Sequence, residues 1–480
     1  MVKMKTILLS LGAAGVAVGL LQSLWAQDVP TARSASLLPA LSSDQPASVI
    51  ETNTPQARSR FTGTGSCSAV ACHGGVGRKD CATGSDGEIW RSEYTVWITD
   101  DPHSRAYSVL FNETARTIAR NMAGGGKVID AWQDNRCLAC HSLPRSEREF
   151  AETARFNADG VGCESCHGPA ANWLGEHTTA SWKLIDAQTK EQNYQFRNTK
   201  NLVSRTETCL GCHLGKRGDG DLVDRDMNHD MVAAGHPRLN FEMAAFSDLH
   251  PNHWCEKPQQ WSEAPQQAEA DASFRNAWLW ATGKLVTAAS GLEMAAARAE
   301  SRNTPWPEFS ETNCYSCHQP LTADPVRIKK PGELPGRPAW GTWFLDGVES
   351  LIPENPQGTA LKTKLSGEFT RLMQSPLPSR EKTSAECRAI AGELRKMAVE
   401  RNQQGFGEAE IRGVISRGLS QTVDTKPKAW DTDAQNFLAL SAMARTHGRK
   451  MATPEVIGKI DLLRARLNQQ AEATSLSPSK

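Results

Sequence analysis

The chain has 480 residues, 39% of them hydrophobic, which allows a signal segment and two or three domains with real cores and argues against a membrane-embedded or wholly disordered protein. Its 54 Lys and Arg cancel its 54 Asp and Glu, so no overall field draws it to nucleic acid or to an anionic membrane surface, and any partner is recognised locally. Against that neutral background, 13 Cys and 12 His are the unusual holdings.

In chain order, residues 1–26 read as a signal peptide. Lys3 and Lys5 precede an apolar run from Ile7 to Leu24, and Ala26 offers a small residue before Gln27. The run nearly reaches the length of a bilayer span, so retention as an anchor is the competing reading. Either way the expected compartment is the periplasm, with membrane attachment only if the segment is kept. Residues 27–60, rich in Ser, Ala, Pro, Thr and Gln without periodicity, read as a flexible linker.

Residues 61–330 carry the cysteine motifs. Cys67-Ser-Ala-Val-Ala-Cys72-His73 opens the region with two thiols separated by four residues and followed by His. Cys137 to His141 reads CLACH, Cys163 to His167 CESCH, Cys209 to His213 CLGCH and Cys314 to His318 CYSCH. C-x-x-C-H is the haem c attachment pattern: two thiols add to the haem vinyl groups and the next His binds iron from below. Random placement of these Cys and His would give roughly a hundredth of one match, so four exclude coincidence. Zinc, iron–sulfur and thioredoxin-like sites use C-x-x-C with no need for His next to it. The longer Cys67 loop reads as a fifth haem site. Its alternative is a disulfide from Cys67, for example to Cys81. Cys81, Cys255 and Cys387 stand outside all five motifs. Strand signals are few, and an Ala-rich stretch from Ala272 to about Arg302 predicts a long helix leading to the last motif.

Beyond 345 the motifs stop. Leu361, Leu365, Phe369 and Leu372, then Ile390, Leu394, Met397 and Ala398, then Ile411, Val414, Ile415 and Leu419 recur at helical spacing. Phe437, Leu440 and Met443 continue the pattern, and Thr453-Pro454-Glu455 starts a last helix. Residues 345–480 are therefore expected to form a helical bundle packed on the haem domain. The fold class is mostly α with little β structure.

With five His taken as proximal ligands, seven remain. His447, beside Gly448 and among basic residues, reads as the carboxyl end of a helix. His103 in Asp101-Pro102-His103, His177, His229 and His236 are candidate distal ligands, and of His250 and His253 the second is favoured, beside Trp254. On a continuous helix His229 and His236 would share a face about 10 Å apart, too far to grip one iron. Met227 and Met231 read as core filler. The supply of His suffices for two imidazoles at every iron.

The Asp-Pro-His segment, three closely spaced C-x-x-C-H sites, Gly162-Cys163-Glu164-Ser165-Cys166-His167-Gly168-Pro169 and Ala234-Gly235-His236-Pro237 together resemble the multihaem cytochrome c-554 family over roughly residues 61–320. The resemblance implies a mostly helical periplasmic electron-transfer protein with closely packed haem pairs, usually bis-His, one iron sometimes being five-coordinate. Carried over by position, it implies His103, His177 and His236 as ligands. The chain departs from the family in its fifth motif at Cys314, its longer loop at Cys67 and its carboxyl-terminal helical region.

An electron carrier with five covalent haems follows, its partners being redox proteins such as a quinol oxidase or dehydrogenase, a soluble cytochrome or a reductase. No catalytic residue is then required. The other reading is an oxidoreductase acting on a small nitrogen or sulfur compound at one open iron. A third, a docking protein whose carboxyl-terminal bundle recruits a redox enzyme, is compatible with the first. C-x-x-C-K is absent, so the Lys-ligated haem of ammonia-forming nitrite reductases is not expected.

Overall fold

Short capped helices and several longer ones pack around one long buried helix. The computed structural model describes residues 60–76, 91–146, 154–218, 222–238, 240–254, 275–312, 340–341, 344–375, 377–404, 413, 430–446 and 453–475. The expected signal peptide, nearly all of the linker, the Cys314 motif, Cys81, Cys255, His447 and the 411–419 repeat lie outside them.

The first helices are α1 (Glu93–Asp100), α2 (Glu113–Met122), α3 (Asn135–His141), α4 (Cys163–His167), α5 (Ala187–Tyr194), α6 (Leu202–His213), α7 (His229–Ala233) and α8 (Met243–Leu249). Several of these are too short to persist by propensity alone. Side-chain oxygens of Asn112, Asp134, Asn201 and Asn228 accept first-turn backbone N–H groups, each cap contributing about 1 kcal/mol. A two-residue antiparallel ladder pairs β1 (Gly215–Lys216) with β2 (Arg225–Asp226), so β structure is indeed slight.

Helix α9 (Arg275–Glu300) has 26 residues, about 39 Å of axis at 1.5 Å per residue. The expected helix from Ala272 is thus present. It is buried on every face from Asn276 to Ala299 apart from Glu293, the pattern of a central helix rather than a surface one. Small residues permit this. A Cβ on Gly283 would come within 2.3 Å of Met243 Cβ, and one on Gly291 within 2.7 Å of the Phe344 ring.

The carboxyl-terminal helices are α10 (Pro356–Thr363), running through a π turn (Lys364–Phe369) into α11 (Thr370–Met373), then α12 (Arg380–Gln404), α13 (Trp430–Thr446) and α14 (Pro454–Ser475). They are joined to the motif-bearing region by one hydrophobic cluster. Leu202 and Leu210 of α6, Leu285 and Leu292 of α9, Ile390 and Leu394 of α12 and Met443 of α13 all belong to it. Leu440, Val456, Ile460 and Leu463 form a separate seam between α13 and α14. Cys387 is fully buried on α12 in the shared cluster, and burial pushes its thiol up, so it behaves as a small apolar side chain. No described helix is long and apolar enough to cross a membrane.

Because the cluster is shared, Leu394→Ala is expected to cost about 2–5 kcal/mol and to lower the denaturation midpoint seen by the haem Soret band and by far-UV circular dichroism alike. A Soret transition that stays in place while only part of the helical signal shifts would show that the two regions unfold independently.

Candidate haem sites

Three C-x-x-C-H motifs each form the last turn of a helix. In α3, α4 and α6 the first Cys and the His are four residues apart, and the second Cys is three from the first, so all three lie on one helical face. Two thiols and an imidazole on one face could together hold one haem. Gly168 ends α4 at φ 84°, and a Cβ there would meet the Gln195 carbonyl at 2.1 Å, so the turn after CESCH requires glycine. The longer Cys67 loop reaches the same end differently. Cys67 closes a short 3-10 helix (Thr64–Cys67), and Cys72 N–H donates to the Ala69 carbonyl at 2.8 Å, turning Cys72 and His73 back under the loop.

The sites are tied together. The buried Glu164 carboxylate, inside CESCH, accepts from Thr62 N–H at 3.0 Å, Gly63 N–H at 2.8 Å and Ala170 N–H at 2.7 Å. It thereby fixes the segment entering the Cys67 loop. The Cys67 and Cys163 side chains are neighbours, and so are those of Cys140 and Cys212. Attachment edges are thus adjacent in two pairs, 67 with 163 and 140 with 212.

Imidazoles from distant segments face one another. The ring centroids of His73 and His177 are 6.3 Å apart with planes at 11°. Those of His141 and His236 are 6.3 Å apart at 77°, and those of His103 and His213 6.1 Å apart at 87°. Two imidazoles that held one metal ion between them, with metal–nitrogen bonds of about 2.0–2.1 Å, would have ring centres on the order of 6 Å apart. Each pair joins a motif His to one of the distal candidates.

Ring orientation is set by second hydrogen bonds. Nδ1–H of His141 donates to the Ala106 carbonyl at 2.8 Å, that of His177 to Leu174 at 2.7 Å and that of His236 to Pro237 at 3.0 Å. His73 donates to Glu93 Oε2 at 2.9 Å and His103 to Asp101 Oδ1 at 2.8 Å. With Nδ1–H so engaged, Nε2 is the nitrogen left for a metal. Burial lowers His167 and His213 to about 4 and His253 to about 3, so all three are neutral near pH 7, as metal ligands must be. Their Nδ1 atoms are buried without a hydrogen-bond partner. Thiol placement, ring separation and neutral buried imidazoles all fit covalent haem c.

The other candidates fall elsewhere. His167 faces Phe196, with ring centres 6.0 Å apart at 21°, and lies close enough to His253 for the two to influence each other electrostatically. His250 Nε2 bonds Asp101 Oδ2 at 3.1 Å, which makes it a neighbour of His103 at a ring separation of 5.8 Å. His229 and His236 do not share a continuous helix, because α7 stops at Ala233 and Gly235 turns the chain at φ 112°. His229 N–H donates to Glu308 Oε1 at 2.9 Å and its ring meets Phe309 edge-on, beside the segment that leads to Cys314. Glu93 and Phe196 carried no sequence signal, since their contacts cross long stretches of chain. Asp101 stood in the Asp-Pro-His segment without a stated task.

Comparison with known proteins agrees with the motifs. Residues 71–168 match the sequence model of the family described as cytochrome c554 and c-prime, a window holding Cys72, His73, His103 and the two motifs ending at His141 and His167. Cytochrome c-554 of Nitrosomonas europaea is 27% identical over 160 residues, which cover 33% of this chain and 65% of that protein, so the match spans less than two thirds of the relative. No solved structure matches the chain. The chain resembles the cytochrome c-554 family and is a c-type cytochrome with covalently bound haem.

Proposed function

We propose that this protein is a periplasmic pentahaem cytochrome that carries electrons between redox partner proteins. The observation carrying the reading is the set of three imidazole pairs at 6.1–6.3 Å, which would leave no open coordination position at those three irons. Haem c supplies a one-electron iron couple when bound. The chain's own residues hold its ligands in place: His73 with His177, His141 with His236 and His213 with His103. His253 is the candidate opposite His167, and His229, held against Glu308, the candidate for the site of Cys314, Cys317 and His318. Cys67, Cys72, Cys137, Cys140, Cys163, Cys166, Cys209 and Cys212 provide the other four attachments. The apolar amino-terminal run after Lys3 and Lys5 supports export. A quinol oxidase or dehydrogenase, a soluble cytochrome or a reductase would suit as partner.

His167 favours a second reading. Its ring faces Phe196 rather than another imidazole at iron-spanning distance, so an iron held there could keep one position open for a small nitrogen or sulfur compound.

Electron paramagnetic resonance of the oxidised holoprotein with and without cyanide separates the two. All haems are expected to be low-spin and indifferent to cyanide; a high-spin haem that binds it would transfer the assignment to an oxidoreductase. His236→Ala is expected to convert one low-spin haem into a high-spin, cyanide-binding one, whereas His250→Ala leaves the low-spin count unchanged. Intact mass should show five haems, falling to four when Cys314 and Cys317 are both replaced by Ala. Four haems in the unmodified protein would remove the fifth site.

A further inference from the structure

The Nδ1 partners sort the imidazole pairs into two electrostatic kinds. Both members of the His141–His236 pair donate to neutral backbone carbonyls, of Ala106 and Pro237. In the His103–His213 pair, His103 donates to a carboxylate, Asp101. In the His73–His177 pair, His73 donates to another, Glu93. A carboxylate on Nδ1–H draws the proton toward itself, makes Nε2 more basic and favours the more positive iron.

Asp101 is built for this task. It is 3% exposed and caps the 3-10 helix Pro102–Arg105 by accepting His103 N–H at 2.9 Å, so one residue fixes both the backbone and the ring of His103. Its second oxygen meets His250 Nε2 at 3.1 Å. One buried carboxylate is thus held between the two imidazoles of His103 and His250. Glu93 sits on the first turn of α1, where its Oε2 accepts from His73 Nδ1–H at 2.9 Å.

We infer that Asp101 and Glu93 are positioning residues that hold the haems ligated by His103 and by His73 at lower reduction potential than the haem between His141 and His236. The inference rests on the ligand pairing proposed above. It divides the chain into two low-potential centres, one at each end of α1, and a higher-potential centre between α3 and the Gly235 turn, which gives electrons a preferred resting site.

The test is spectroelectrochemical titration of the Asp101→Asn and Glu93→Gln holoproteins beside the unmodified one, with electron paramagnetic resonance of each. Asn and Gln keep an acceptor for Nδ1–H and remove the charge. Each variant is expected to retain its low-spin intensity and to raise one of the lower midpoints by at least a tenfold change in reduction constant, about 59 mV for a one-electron couple, with the highest midpoint unmoved. Midpoints unmoved in both variants, with low-spin spectra intact, overturn the inference. A non-haem metal bound by Asp101, His103 and His250, whose donor atoms lie within 4.8 Å of one another, would also overturn it, and elemental analysis of the holoprotein and of Asp101→Asn reads this directly. His103→Ala keeps the two levels apart: a new high-spin haem leaves the pairing standing whatever the midpoints do, and an unchanged low-spin count means the pairing itself has failed.

Discussion

An imidazole offers Nε2 to a metal in a fixed direction when its Nδ1–H is anchored, and the motif-bearing region provides such anchors for five of its imidazoles. Ala106, Leu174 and Pro237 give carbonyls; Glu93 and Asp101 give carboxylates. None of these partners belongs to a regular ladder. They come from helix ends, short 3-10 turns and the residue after a Gly-His pair, where carbonyls are not consumed by i to i−4 bonding. A region of short helices is therefore well suited to this task, because each helix end frees backbone acceptors that a long helix would use internally.

That arrangement sacrifices ordinary packing, and α9 supplies the missing rigidity. The cluster beside α3 holds only five buried residues, Leu110, Ala115, Ala131, Leu138 and Ala139, whereas the large cluster follows α9 and the carboxyl-terminal helices. Two Arg residues connect the two regimes, and a third ties α12 to α9 within the larger one. Arg395 of α12 bonds Glu293 of α9 at 2.6 Å and also Glu207 of α6, the helix ending in CLGCH. Arg298 of α9 bonds Asp226 of β2 and Glu311, each at 2.5 Å. Arg388 of α12 bonds Glu300 at the end of α9 at 2.5 Å. The Arg298 pairs are largely buried, so what they add is fixed geometry more than net stability.

The sequence was legible where chemistry or periodicity is local. C-x-x-C-H could be read because its spacing is the spacing of one helical turn, and α9 because an Ala-rich run without breakers leaves few alternatives. Leu365, Phe369, Ile390 and Leu394 were legible as core by their repeat and are buried, although the π turn at Lys364–Phe369 was not, since it shifts the register without changing the apolar pattern. The continuous helix considered for His229 to His236 gave way to Gly235, whose positive φ ends it. Contacts across the chain left no trace in local pattern: Glu93 to His73, His177 to His73 and Glu164 to Thr62 each depend on tertiary approach.

The same distinction explains why candidate ligands were easier to list than to pair. His73 and His177 stand more than a hundred positions apart, as do Arg395 and Glu207, and nothing in either neighbourhood specifies the other. What brings them together is a chain of local decisions, a cap at Asn201, a left-handed turn at Gly168, a carboxylate at Glu164, each of which fixes the direction in which the backbone leaves a motif. Each exit is set locally, but only the folded chain brings the rings of His73 and His177 to 6.3 Å.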